Sequence, residues 1–188
     1  MSLPHVSSEG GPIILGDFEA LRSWRGVTDS SIHYDTACQL VERSNPSPIK
    51  VGSGNSLVWN FGGPGTGDIV LVNDKHISVV RIWPDASWTE SETESVIVSS
   101  ATARFGPPSS AHLTIESGYL LALWATEDAS EFSSPRGEKG VPEPGLSIGD
   151  GGAYVRVPCG RYEVTACEWQ EDKFDVTKLD LRKAELVG

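Results

Sequence analysis

The segment Val51-Gly-Ser-Gly-Asn-Ser-Leu-Val-Trp59 consists of a β-branched residue, a small turn of glycine and serine, and an apolar run. Glycine takes positive φ without steric cost, and small polar residues support the reversal, so the segment reads as strand, tight turn, strand. The pattern returns as Ile115-Glu-Ser-Gly-Tyr-Leu-Leu-Ala-Leu-Trp124 and as Ile148-Gly-Asp-Gly-Gly-Ala-Tyr-Val-Arg-Val157. Three such hairpins predict an antiparallel, strand-rich chain.

Upstream of the first hairpin, Pro12-Ile-Ile-Leu15 reads as a short buried strand. Asp17 can cap a helix over 18–24, with Phe18, Leu21 and Trp24 on one face and Gly26 at the stop. Tyr34, Ala37, Cys38 and Val41 fit a helical face, although a strand over the same residues is also compatible. Asn45-Pro-Ser-Pro48 is a break. After it come hairpin strands at 49–51 and 56–61, a loop Gly62-Gly-Pro-Gly-Thr-Gly67, and strands at 68–72 and 76–83. The acidic, hydroxyl-rich run 89–95 reads as solvated, and 96–98 as a strand. Gly106-Pro-Pro-Ser-Ser110 is the midpoint break. Beyond it, strands at 112–115 and 119–126 form the second hairpin. A surface loop spans 127–145, the third hairpin pairs 146–148 with 153–157, and apolar runs at 162–169 and 174–186 close the chain.

The order repeats. Segments 12–24, 50–59 and 77–85 give strand, hairpin, strand, as do 119–124, 147–157 and 162–169. The expectation is a mainly β fold, a β-dominated α+β chain with one or two short helices. After a flexible N-terminus at 1–9, a single domain at 10–188 would hold two similar antiparallel β-rich halves, 10–105 and 111–188.

The chain has 188 residues and a formal charge of −11. That balance argues against a nucleic-acid ligand and an anionic membrane surface, which need a basic face, and suits a basic partner. No run approaches the about 18 apolar residues of a membrane span. The first residues lack a basic region followed by an apolar run, so the expected location is cytoplasmic. Cys38, Cys159 and Cys167 make an odd count, read as reduced thiols acting as small buried hydrophobes.

The motifs that look catalytic lack their context. Gly145-Leu-Ser147-Ile-Gly149 has the nucleophile-elbow spacing, but a strand follows where a helix is needed, and no histidine follows His112. Gly62-Gly-Pro-Gly-Thr-Gly67 lacks the lysine of a phosphate loop and runs into Asp68. His5, His33, His76 and His112 are scattered, and no carboxylate spacing matches a calcium loop. No catalytic residue, cofactor or metal is expected. Trp59, Trp124 and Trp169 read as core. Trp83 and Trp88 sit beside the acidic run, where aromatics next to carboxylates suit protein or sugar binding.

Taken in order, Gly10-Gly-Pro-Ile-Ile-Leu15, Trp24-Arg-Gly26, Tyr34-Asp-Thr-Ala-Cys38, Ile49-Lys-Val-Gly-Ser-Gly54 and Ser56-Leu-Val-Trp59 resemble the immunity protein 21 family of bacterial polymorphic toxin systems. Arg81-Ile-Trp-Pro-Asp-Ala86, Tyr119-Leu-Leu-Ala-Leu-Trp124 and Pro158-Cys-Gly-Arg-Tyr-Glu-Val164 continue the resemblance, which covers about residues 10 to 170. It departs at Pro158-Cys-Gly, where Pro-Gly is expected. The resemblance implies a non-catalytic protein that binds a cognate toxin and occludes its functional face. The expected interface is the acidic loop set Asp85, Trp88, Glu90, Glu92, Glu127, Asp128, Glu131, Glu138 and Glu143. Two other readings remain open at this level: a carbohydrate-binding β-module and a carboxylate-dependent hydrolase. The sequence leaves the oligomeric state open.

Overall fold

Long apolar runs in this chain become strands buried on both faces. The computed structural model describes residues 3–28, 32–41, 45–84, 87–132, 146–147 and 151–185. The first half runs β1 (His5–Ser8), β2 (Ile13–Asp17), α1 (Phe18–Leu21), α2 (His33–Leu40), β3 (Ser47–Val51), β4 (Gly54–Trp59), β5 (Gly65–Asn73) and β6 (His76–Pro84). Helix α3 (Glu90–Thr102) leads to β7 (Pro108–Ile115), β8 (Tyr119–Trp124), a 3-10 turn (Ala129–Glu131), β9 (Leu146–Ser147), β10 (Gly152–Arg156), β11 (Gly160–Glu171) and β12 (Phe174–Lys183). The protein is mainly β.

The strands form two six-stranded antiparallel sheets. One has the order β1-β5-β6-β12-β11-β7, the other β3-β4-β2-β8-β10-β9. Side chains alternate across a strand, so each strand offers one face to the facing sheet. Ile13, Leu15, Leu57, Trp59, Ala122 and Val155 of the second sheet mesh with Ile77, Val79, Leu113, Tyr162, Leu179 and Leu181 of the first. The other face of the second sheet, with Ile14, Val58, Leu121 and Leu123, is covered by Phe18, Leu21, Trp24 and Ala37. The other face of the first sheet, with Val70, Val80 and Val176, is covered by Ile97 and Ala101 of α3. Four layers result. Both faces of the central strands are covered, which is why β2 and β8 read as unbroken apolar runs.

Exchanging β1–β6 with β7–β12 leaves both strand orders unchanged. The molecule therefore has an internal topological twofold between the central pairs β6·β12 and β2·β8. The strand-by-strand match differs from the sequence alignment: β6 corresponds to β12, not to the strand over 162–169.

Several expectations are corrected. The N-terminus is not free from residue 5 onward: β1 pairs with β5, and Val6 is fully buried. The segment Ile115 to Trp124 is not a hairpin, because β7 and β8 lie in different sheets. Its glycine turn, Gly118 at φ +82°, carries the chain from one sheet to the other. Asp17 Oδ2 accepts the N–H groups of Glu116 and Ser117 at 2.8 and 2.7 Å, and Oδ1 caps α1. Residues 89–98, read as solvated chain and then strand, are the start of α3. Thr89 and Glu92 form a capping box there, and Glu90 and Glu92 complement the helix dipole. Cys38 and Cys159 are exposed rather than core, and all three cysteines are free thiols.

Candidate binding cleft

Unequal strand lengths open a cleft at one end of the sandwich. β6, β11 and β12 have 9, 12 and 10 residues. The facing β2, β4 and β8 have 5, 6 and 6. At about 3.3 Å per residue, the longer sheet overhangs its partner where β4 finishes at Trp59. Arg81 and Trp83 continue the inward face of Ile77 and Val79, and Thr177 and Asp175 continue that of Leu179 and Leu181. Glu168 pairs with Thr177 and Gln170 with Asp175, which places both on the same overhanging face. Residues 60–64 form the facing wall. The cavity, of about 940 Å³, is lined by Val41, Asn60, Phe61, Gly62, Trp83, Glu168, Trp169, Gln170, Asp175, Val176 and Thr177.

Arg81 holds that wall in place. It is 3% exposed. Its Nη1 donates to the carbonyls of Phe61 and Gly63 at 3.1 and 2.6 Å, and its Nη2 to that of Pro64. The guanidinium lies 3.7 Å from the Trp83 ring centroid and 5.0 Å from that of Phe61. Burial lowers its pKa to about 10, so it remains a cation at neutral pH. Gly65 is glycine because a β-carbon there would lie 2.7 Å from this guanidinium. Glu168 and Asp175 are exposed, and among the described residues neither has a basic group within 4 Å.

The expected acidic set is divided between layers. Trp88, Glu90 and Glu92 lie on the α3 side of the first sheet. Trp88 packs edge-on to Phe174, with ring centroids 5.3 Å apart, next to the cleft residue Asp175. Glu92 is committed to the capping box, and its hydrogen bonds from Thr89 lower its pKa. Glu127, Asp128 and Glu131 follow β8 and lie on the outer layer of the second sheet. Burial pushes the Asp128 carboxyl up, but hydrogen bonds from Ser130, Thr28 and Arg25 outweigh it and hold the group at about 2. The Arg25–Asp128 contact is 3.0 Å. Asp128 therefore ties two loops together. Asp85, Glu138 and Glu143 lie outside the described residues. The two described groups do not form one continuous patch, although β6 and β8, which lead into them, both finish at the cleft end.

Sequence reading missed Glu168, Gln170 and Asp175. Their signal is the alternation of β11 and β12, which continues past the last apolar inward residue with polar side chains in its place. It also placed Trp169 in the core; the ring is half-buried on the outer face of the first sheet, opposite Val176. Trp59 is fully buried, and so is Trp24, whose Nε1 donates to the Ala125 carbonyl at 3.0 Å.

A second polar cluster is structural. Lys178 is fully buried and donates to the carbonyls of Ser100, Ala101 and Ala103, closing the C-terminus of α3. Its Nζ lies 3.1 Å from Asp180 Oδ2, and Asp180 Oδ1 is 2.9 Å from His76 Nε2. Every member of this cluster is engaged within the fold. Among the described residues no three His, Cys, Asp or Glu side chains group as metal ligands, and no helix is long and apolar enough to cross a membrane. No family model matches the chain, and neither curated proteins nor solved structures provide a match.

Proposed function

We propose that this chain is an immunity protein, acting in the cytoplasm of the producing cell, that binds a basic toxin and occludes its functional face without turnover. The observation that carries this reading is the cleft. It joins the exposed carboxylates of Glu168 and Asp175 to the aromatic surface of Trp83, on a rigid sheet overhang of a chain charged −11. Aromatic anchors in a preformed depression with a charged rim are what tight protein interfaces use, and a negative field speeds encounter with a basic partner. Trp88 and Glu90, beside the same end, extend the surface. The ordered motifs that resemble the immunity protein 21 family point to the same class of function.

The test is co-expression with the product of the neighbouring large gene, with affinity capture and growth as readouts. A stable one-to-one complex that restores growth is expected. The absence of both capture and rescue would sink the immunity reading.

A second reading, a carbohydrate-binding module, draws on the same cleft. Trp83 beside Asn60, Glu168, Gln170 and Asp175 offers one ring face and several hydrogen-bonding groups to a sugar. A glycan array with the intact protein separates the two readings.

A further inference from the structure

The internal twofold supplies a comparison within the molecule. The cleft lies where the β11–β12 hairpin meets the β4–β5 connection. Its topological counterpart lies where the β5–β6 hairpin meets the β10–β11 connection, at a second cavity of about 1040 Å³. That mouth is lined by Leu71, Ile77, Tyr119, Val157 and Pro158 together with the polar Asn73, Ser117 and Cys159; it has no tryptophan, and its single carboxylate, Asp74, is matched in number by one lining cation, Arg156. The equivalent mouth is thus an open cavity built without tryptophan and with balanced lining charge. The first cleft has Trp83 and two carboxylates, Glu168 and Asp175, on its inward face and no cation among its lining residues, the buried Arg81 lying behind Trp83. Folding does not require that excess.

From this excess we infer that the first cleft is a receptor for an arginine side chain of a basic partner. The inference rests on the reading of the chain as a binding protein and names the chemistry of its guest. Glu168 stands opposite Thr177, and Asp175 is the next residue of β12 on the same face. The two carboxylates are thus diagonal neighbours, about 7–8 Å apart at the backbone, a spacing their side chains close around one planar, multi-donor cation. Trp83 is directly across from Asp175 on β6. A guanidinium donates in the plane to both carboxylates and presents its face to the indole, which a lysine ammonium cannot do with one compact charge. The protein's own Arg81 already stacks on Trp83, and its bonds are directed to backbone carbonyls. The carboxylates are left for a guest.

The test titrates the full-length protein calorimetrically with a nonapeptide of alternating glycine and arginine, and with its lysine counterpart. The arginine peptide is expected to bind at least fivefold more tightly. Glu168→Gln/Asp175→Asn should weaken it tenfold or more. The charge-matched Glu19→Gln/Glu185→Gln, at side chains 56% and 85% exposed away from the cleft, should weaken it less than twofold. Trp83→Leu, checked by thermal melting, should erase the arginine preference. Equal weakening by the two double variants, or equal binding of the two peptides, overturns the inference. So does a neutral glycan that binds the cleft while the peptide does not. If the neighbouring toxin is captured equally well by Glu168→Gln/Asp175→Asn, the receptor falls and the immunity reading stands. If the wild-type protein captures no toxin, the immunity reading falls, and the peptide titration decides the cleft independently.

Discussion

Arg81 shows how much one side chain can organise. It sits on β6, yet it shapes the connection between β4 and β5 by supplying donors to three of its backbone carbonyls, those of Phe61, Gly63 and Pro64. Arg81→Met leaves those carbonyls without partners in a buried setting, and about 3 kcal/mol of stability should be lost, read from the urea midpoint. Asp68 makes the opposite case. Burial raises its carboxyl to about 6; His5 opposes the shift and Glu94 adds to it. The folded state thus binds the extra proton between about pH 4 and 6, so stability falls as pH rises through that window and the penalty is complete above it. Asp68→Asn should therefore raise the melting temperature at pH 7.5, by the equivalent of about 1–2 kcal/mol, and change little near pH 4. A melting temperature lowered at both pH values would contradict this account. Of these residues only Asp17 was legible in advance as a helix cap. Its second task, holding the turn at Glu116 and Ser117, depends on a contact 99 residues away.

At the scale of elements, α3 is the clearest lesson. Thr89-Glu-Ser-Glu92 is a capping-box signature three residues before the apolar Val96-Ile-Val98, so the helix was readable, but the density of acids and hydroxyls suggested solvated chain instead. What the sequence could not show is the other end of the helix. Its last carbonyls are closed by Lys178, which arrives from β12 and is fully buried there. Lys178→Met should cost about 3–5 kcal/mol, because it removes the cap and leaves Asp180 as a buried charge without its cation. Adding Asp180→Asn to that variant should recover part of the loss in chemical denaturation. A double variant no more stable than the single one would show that the cap alone carries the effect. The hairpin reading of 115–124 failed for a related reason: a glycine turn between apolar strands looks the same whether the strands pair or part into two sheets.

At the scale of the whole molecule, the two halves cannot complete either sheet alone. Each supplies three strands to each sheet, and the central pairs β6·β12 and β2·β8 join one half to the other. Chains 1–104 and 105–188 expressed separately should each lack a cooperative thermal transition. Mixed, they should regain one, followed by circular dichroism. A stably folded single half would show that the central pairing is dispensable. Local chemistry in the sequence determined most of the strands, many of the turns, the antiparallel class and the acidic balance, because alternation and glycine placement act over a few residues. The tertiary structure alone decided which strands share a sheet, that α3 and α1 cover opposite outer faces, and that the acidic candidates fall on two layers. It also decided that Trp83, Glu168 and Asp175 meet, because they lie on three strands whose register and unequal length are set by packing against the facing sheet.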